Sequence, residues 1–449
     1  MAIDPYIISS STIKEPPVSL LHQLKFLGPG FILSASIVGS GELIATTILG
    51  AKAGFIALWI IVVSCLAKVA VQLEFGRHAV LTGETTMRAI NQLPGPSFGK
   101  AKWSVWLLFF LLLLKIVQLG GMLGGTVVIL SMLNDHIPVA VWTFTCAASV
   151  GLMIYNGKYA IVEKLSLFMI AMFTLLTMAS LFALRYTSFA FTLAQVWDAQ
   201  TIKISGAVIG FAIGAFGITG VASDEIIAYN YWCLEKGYAA YTGPPTGDND
   251  WRRRAKGWIR VMYLDAGVAM AIYTLVTVSF YLLGAAVLHG HGDVPLGNDV
   301  IETIALIYTQ SLGPGIKTAY LIGGFFVLYS SLFATLAAWT RIYPDLFGQL
   351  GWIDFFNLQR RKKTISVLAC VFPLLWAVVY LFIDLPVLMV LFGGLVGSFM
   401  LFIVVAAALH FKYGRPQLIG PGRLYDVAFW ISVISICAVG VYGIVQVLA

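Results

Sequence analysis

The sequence predicts an all-α polytopic membrane protein of about eleven transmembrane helices, arranged as a five-plus-five inverted repeat with one extra helix. Three observations predict it. Of 449 residues, 59% are hydrophobic and only 11% charged, against about 25% charged in an ordinary soluble domain. The apolar residues fall into long runs of spanning length. The first and sixth runs each carry a mid-run cluster of glycines, Gly39-Ser40-Gly41 in one and Gly217 to Gly220 in the other.

The runs lie at about 28–50, 54–80, 104–130, 138–156, 160–184, 204–232, 260–287, 315–340, 364–384, 386–411 and 425–447. Each is near the roughly 20 residues that cross a bilayer as a helix. Residues 1–27 are polar and Pro-containing and read as a cytoplasmic N-terminal segment without a cleavable signal peptide. Residues 28–449 read as one transmembrane domain, with repeat one at about 28–184, repeat two at about 204–411 and the extra helix at about 425–447. The aromatic content, 13%, suits Trp and Tyr belts at the lipid headgroups.

Charge placement orients the chain. With the N-terminus inside, 22 Lys and Arg fall on the cytoplasmic side and only 4 outside (Lys52, Arg185, Lys203 and Lys317), as the positive-inside rule requires. The expected location is a prokaryotic inner membrane, with lipid and a small ion or solute as partners. The basic residues sit in short loops between apolar runs, which excludes nucleic acid as a partner. The basic stretch in the loop 241–257 is expected to hold the membrane face. The five cysteines lie in or beside apolar runs without CxxC spacing and read as small buried hydrophobes. No nucleophile elbow, phosphate loop or metalloprotease motif occurs in a credible context, so the chain reads as no enzyme and as needing no cofactor.

Transporters with inverted repeats place discontinuous helices at matching positions of each half. Breaks near Gly39–Gly41 and Gly217–Gly220 are therefore expected. An ionisable side chain at mid-span costs about 2.5–3.5 kcal/mol, so those present mark function. Glu42 follows the first break. Freed carbonyls plus its carboxylate would suit a hard cation; the freed amides would suit an anion; or Glu42 pairs with Lys115 or another helix as a buried structural ion pair. Asp224 and Glu225 follow the second break. They either sit in the first turn of a half-helix capped by Ser223, or one of them faces Glu42 across the repeat. Lys115 and Gln118 lie one turn apart in the third run; Lys115 is a counter-charge, a substitute for a bound cation, or a snorkelling lysine. Lys68, Glu74 and Asp265 lie nearer the inside ends, where snorkelling or pairing with loop charges is expected.

The first run, GPGFILSASIVGSGELIATTILGAKAGF at 28–55, resembles the opening helix of the Nramp (natural-resistance-associated macrophage protein) family of divalent-metal transporters. The match is to a GPGF-like start, a DPGN break and a GAxxGY-like end, without gaps. Tyr155, Gly157, Lys158, Tyr159, Glu163 and Lys164 resemble that family's segment after the fourth helix. The resemblance implies a LeuT-type fold that moves divalent metal ions, usually with protons, and holds them with the Asp and Asn of DPGN and the Met of an MPH motif in helix six. Here the Asp position is Gly39, the Pro Ser40, the Gly Gly41 and the Asn Glu42. The Met position is Ile218, the Pro Thr219, the first His Gly220 and the second His Glu225.

The departures remove a soft thioether and move a carboxylate. The resulting expectation is a secondary transporter with an oxygen-only site, built from Gly39, Ser40, Glu42, Ile218, Thr219, Asp224 and Glu225. Glu42 and Glu225 would be the metal ligands, and Lys115 and Gln118 coupling or counter-charge groups. A transporter of the same fold for an organic ion or amino acid is the alternative. A non-transporting receptor would carry a soluble signalling domain, and no such segment is present in the sequence.

Overall fold

The structure is a computed structural model that describes residues 4–39, 41–199, 208, 212, 215–216, 219–289, 314–414, 419–420 and 422–448. It is built almost wholly of helices: α1 Pro29–Ile37, α2 Gly41–Ala53, α3 Leu58–Thr82, α4 Trp103–Leu133, α5 Val139–Ile154, α6 Tyr159–Ala183, α7 Ser223–Lys236, α8 Asn249–Val287, α9 Pro314–Leu350, α10 Leu358–Ile383, α11 Pro386–Tyr413 and α12 Arg423–Leu448. Eight of the described helices are long and apolar enough to cross a membrane, or nine with α1 and α2 taken as one bent span. The fourth expected span, α5, has 16 residues. Of the sixth, the second half is described as α7; Gly217 and Ile218, like Ser40, lie outside the described residues. Leu175, Phe182, Phe382 and Leu424 project outward, as apolar side chains facing lipid do.

The first span is broken. Pro29 occupies the first turn of α1, where its missing N–H costs nothing. The helix ends at Ile37, and α2 leaves at 48° to it, opening with a π-helical turn over Gly41–Thr46. A helix end inside a membrane must have its carbonyls satisfied by protein. The Ser331 hydroxyl of α9 does this, within 3.3, 2.8 and 3.1 Å of the carbonyls of Ala35, Ser36 and Val38. A Cβ on Gly39 would lie 2.7 Å from the Ser331 Cβ, so glycine is what allows that hydroxyl in.

The start of α1 is held from α8. The Asp265 carboxylate accepts hydrogen bonds from the amides of Gly28 (2.7 Å) and Gly30 (2.6 Å). A Cβ on Gly30 would meet the Asp265 carbonyl oxygen at 2.7 Å and the Ala269 Cβ at 2.8 Å. Asp265 is thus the remote cap of α1, where snorkelling or a loop partner was expected. Glu74 instead finds Tyr425 (2.5 Å) and, three residues on, Arg77 (3.5 Å).

Helices α8 and α9 outrun their apolar stretches. The Asp248 carboxylate accepts from the Trp251 amide at 2.7 Å and starts α8 at Asn249. The basic stretch expected in a loop is therefore helical, with Trp251, Ala255, Trp258 and Ile259 buried on one face at helical spacing. Helix α9 likewise continues to Leu350. All five cysteines are free; Cys65, Cys146 and Cys233 are buried as expected, whereas Cys370 is exposed on α10.

Candidate substrate site between the broken helices

The two interruptions meet at Glu42. Its carboxylate is fully buried and accepts the Gly39 amide at one oxygen and the Gly220 amide at the other, both at 3.1 Å. The amides freed by the first break and by the turn before α7 thus share one carboxylate. The expected structural partner of Glu42, Lys115, is elsewhere: it pairs with Asp224, 109 positions away in sequence. The second Asp224 oxygen accepts the Trp339 indole N–H at 3.2 Å.

Between Thr219 and Ala222 the chain is not helical. Gly220 has a φ of +63°, and a Cβ there would meet the Cys65 Cα at 3.0 Å, so the turn needs glycine both for its backbone conformation and for its approach to α3. Helix α7 then starts with Ala222 as N-cap. Its cap is Glu225, whose carboxylate accepts the Ala222 amide at 2.7 Å, half of a capping box. Ser223, expected as the cap, is the first helical residue, and its buried hydroxyl has no hydrogen-bond partner among the described residues.

Thr219 is fixed from α3. Its hydroxyl and that of Ser64 are 2.8 Å apart, and its carbonyl accepts from the Lys68 ammonium at 2.6 Å. Lys68 also donates to the Phe216 carbonyl at 2.7 Å. It is fully buried and points into the break, not to an interface as expected. Hydropathy gave its depth but no partner. Trp339 and Ser331 carry no sequence signal, because each is one polar group in an otherwise ordinary apolar helix.

Beside these groups lies a small cavity of about 30 Å³, lined by Ser36, Gly41, Lys115, Gln118, Met122, Ala222, Asp224, Glu225 and Thr335 among others. Ser36 and Thr335 share a contact of 3.3 Å. The buried Gln118 side-chain oxygen has no partner among the described residues. Asp224 has both oxygens engaged, whereas Glu225 uses one on the Ala222 amide and has Ser36 as a hydrogen-bonding neighbour in the cavity wall. By formal charge the acids Glu42, Asp224 and Glu225 outnumber Lys68 and Lys115 by one. Among the described residues no three of His, Cys, Asp and Glu gather as a metal site. The structure therefore brings Gly39, Glu42, Thr219, Asp224, Glu225, Lys115 and Gln118 into one buried centre; Ser40 and Ile218 lie outside the described residues.

A helical membrane protein whose interrupted first span meets a second non-helical turn at a buried polar centre has the architecture of a secondary transporter. The profile of the natural resistance-associated macrophage protein-like family matches residues 30–446. The chain belongs to that family, whose members are transporters and not enzymes. A manganese transporter of Eremococcus coleocola superposes with a TM-score of 0.71 at 14% identity, covering 98% of this chain and 91% of that one. Mhp1, a nucleobase-cation-symport-1 family transporter, superposes with a TM-score of 0.58 at 13% identity, covering 94% and 92%. The fold is thus the LeuT type. An uncharacterized protein of Pasteurella multocida (strain Pm70) is 23% identical over 325 residues, 70% of this chain and 69% of the relative.

Proposed function

We propose that this transporter carries a hard divalent cation such as Mg²⁺, Mn²⁺ or Ca²⁺, held through oxygen in the central cavity, with its N-terminus on the cytoplasmic face of a prokaryotic inner membrane. The observation that carries the proposal is the Glu225 carboxylate, with one oxygen spent on capping α7, lining a cavity together with Ser36, Thr335 and the unpartnered Gln118 side-chain carbonyl. Carboxylate, amide and hydroxyl oxygens are the ligands hard cations take. The family and the manganese-transporter likeness point to a divalent-metal cargo. Glu42 serves the site by holding both breaks in place, with Asp224 kept in register by Lys115.

Met122 is the one thioether among the named lining residues, and its terminal methyl is the atom that approaches Gly39. Soft metals seek sulfur, so competition tests the ligand set. In purified protein, Mg²⁺ or Ca²⁺ binding is expected to survive Met122→Leu and to resist displacement by equimolar Cd²⁺. Preferential Cd²⁺ binding that disappears in Met122→Leu would overturn the oxygen-only reading.

A second reading, a non-metal solute such as an organic ion or amino acid, is favoured by the two lysines buried at the centre. It predicts that no divalent ion binds to folded protein.

A further inference from the structure

Lys68 is unlike the other buried cation of the centre. Lys115 is matched by a carboxylate. Lys68 is matched by backbone: its ammonium donates to the carbonyls of Phe216 and Thr219 at 2.7 and 2.6 Å and lies 4.8 Å from the centre of the Phe216 ring. It forms no salt bridge among the described residues. A lysine ammonium has three N–H donors and no acceptor. Two carbonyl oxygens and the negative face of an aromatic ring supply acceptors for all three. No group placed to donate a hydrogen bond to a neutral amine is among these partners.

One carbonyl belongs to Phe216, a helical residue, and the other to Thr219, which opens the non-helical turn before α7. Carbonyls freed at such a break need a cation or a donor. Helix α3 is shaped to deliver one. Its regular hydrogen bonding is interrupted at Lys68. Ser64, one turn earlier on the same face, grips the Thr219 hydroxyl. The α3 backbone comes so close that a Cβ on Gly220 would meet the Ser64 carbonyl oxygen at 3.2 Å.

We propose that the Lys68 ammonium is a tethered substitute for a bound cation, filling a carbonyl cradle at the sixth-span break that would otherwise take a small monovalent cation. The second break is then complete without any ion from solution, and cargo is confined to the cavity beside Glu225. The assignment does not rest on what that cargo is, and its test reads stability, not transport.

The test is chemical rescue in full-length protein in detergent. Lys68→Ala is purified in N-methylglucamine chloride, a cation too large for the cradle. Its melting temperature is then followed as ammonium, methylammonium, K⁺ or Na⁺ chloride replaces that salt at constant ionic strength. The expected result is a lowered melting temperature that climbs saturably with ammonium or methylammonium, as binding to the folded state alone requires. Unaltered protein should show no such dependence. Lys68→Met, which keeps the stem's bulk, repeats the test should Lys68→Ala not fold without ammonium. Melting of the variants that ignores the identity of the cation would overturn the proposal. So would failure of both variants to fold even in ammonium.

Discussion

Glu42 joins the first chain interruption to a turn at Gly220, 178 positions further along the chain. Replacing it by Ala strands two buried amides, each costing about 1–3 kcal/mol. Glu42→Ala is therefore expected to melt well below the unaltered protein and to lose uptake. Glu42→Gln retains one acceptor oxygen and should melt in between. Equal melting temperatures for all three would show that the bridge contributes nothing. The Lys115–Asp224 pair is 2% and 5% exposed. Removing one member of such a pair costs about 3–5 kcal/mol. Lys115→Met should destabilise by that order, and the double variant Lys115→Met/Asp224→Leu should recover most of it. A double variant no more stable than the single one would contradict the pairing. The acids and Lys115 were legible because a charge in an apolar run is costly and so conspicuous. Their partners were not, because sequence gives the depth of a side chain along its helix and not the direction it faces. Lys68 shows the difference most clearly.

The helices themselves were legible from hydropathy, and the first break from glycines with nothing apolar between them. What hydropathy missed are helix ends outside the lipid, such as the first turns of α8, where burial of Trp251 and Trp258 overrides a polar composition. Equally hidden was the anchoring of α1 by Asp265, which depends on two helices meeting. Asp265→Ala frees the first amides of α1 and is expected to cost about 1–3 kcal/mol per stranded donor. Asp265→Asn, with one acceptor left, should cost less. The order of the two melting temperatures checks this, and the reverse order would assign Asp265 another role. Helix α2 needs Gly50 and Gly284 to approach α8: a Cβ on Gly284 would lie 2.9 Å from the Thr47 Cα.

Across the whole molecule, the N-terminal segment straps one end of the bundle. Tyr6 donates to Glu235 at 2.7 Å, Arg361 to Asp4 at 2.7 Å, and Arg341 to Glu235 at 3.1 Å and to the Gly157 carbonyl at 2.8 Å. These bonds tie the C-terminal end of α7 to α9, α10 and the loop after α5. Alternating access requires such a closure to open. Arg341→Ala is expected to expose Cys233, buried on α7, to a membrane-impermeant thiol reagent in a Cys370→Ser background. Unchanged labelling would show that the strap does not hold this end shut.

The cargo is the property least legible in the sequence, since it depends on which oxygens remain free once internal partners are satisfied. The most direct measurement is uptake of Mg²⁺, Mn²⁺ and Ca²⁺ into liposomes by the unaltered protein and by Glu225→Gln, with folding of both checked by melting. Saturable uptake of one of these ions that falls at least about tenfold in Glu225→Gln, equivalent to about 1.4 kcal/mol of lost interaction, is the predicted result. No uptake of any divalent cation by folded protein, or full uptake by Glu225→Gln, would contradict it.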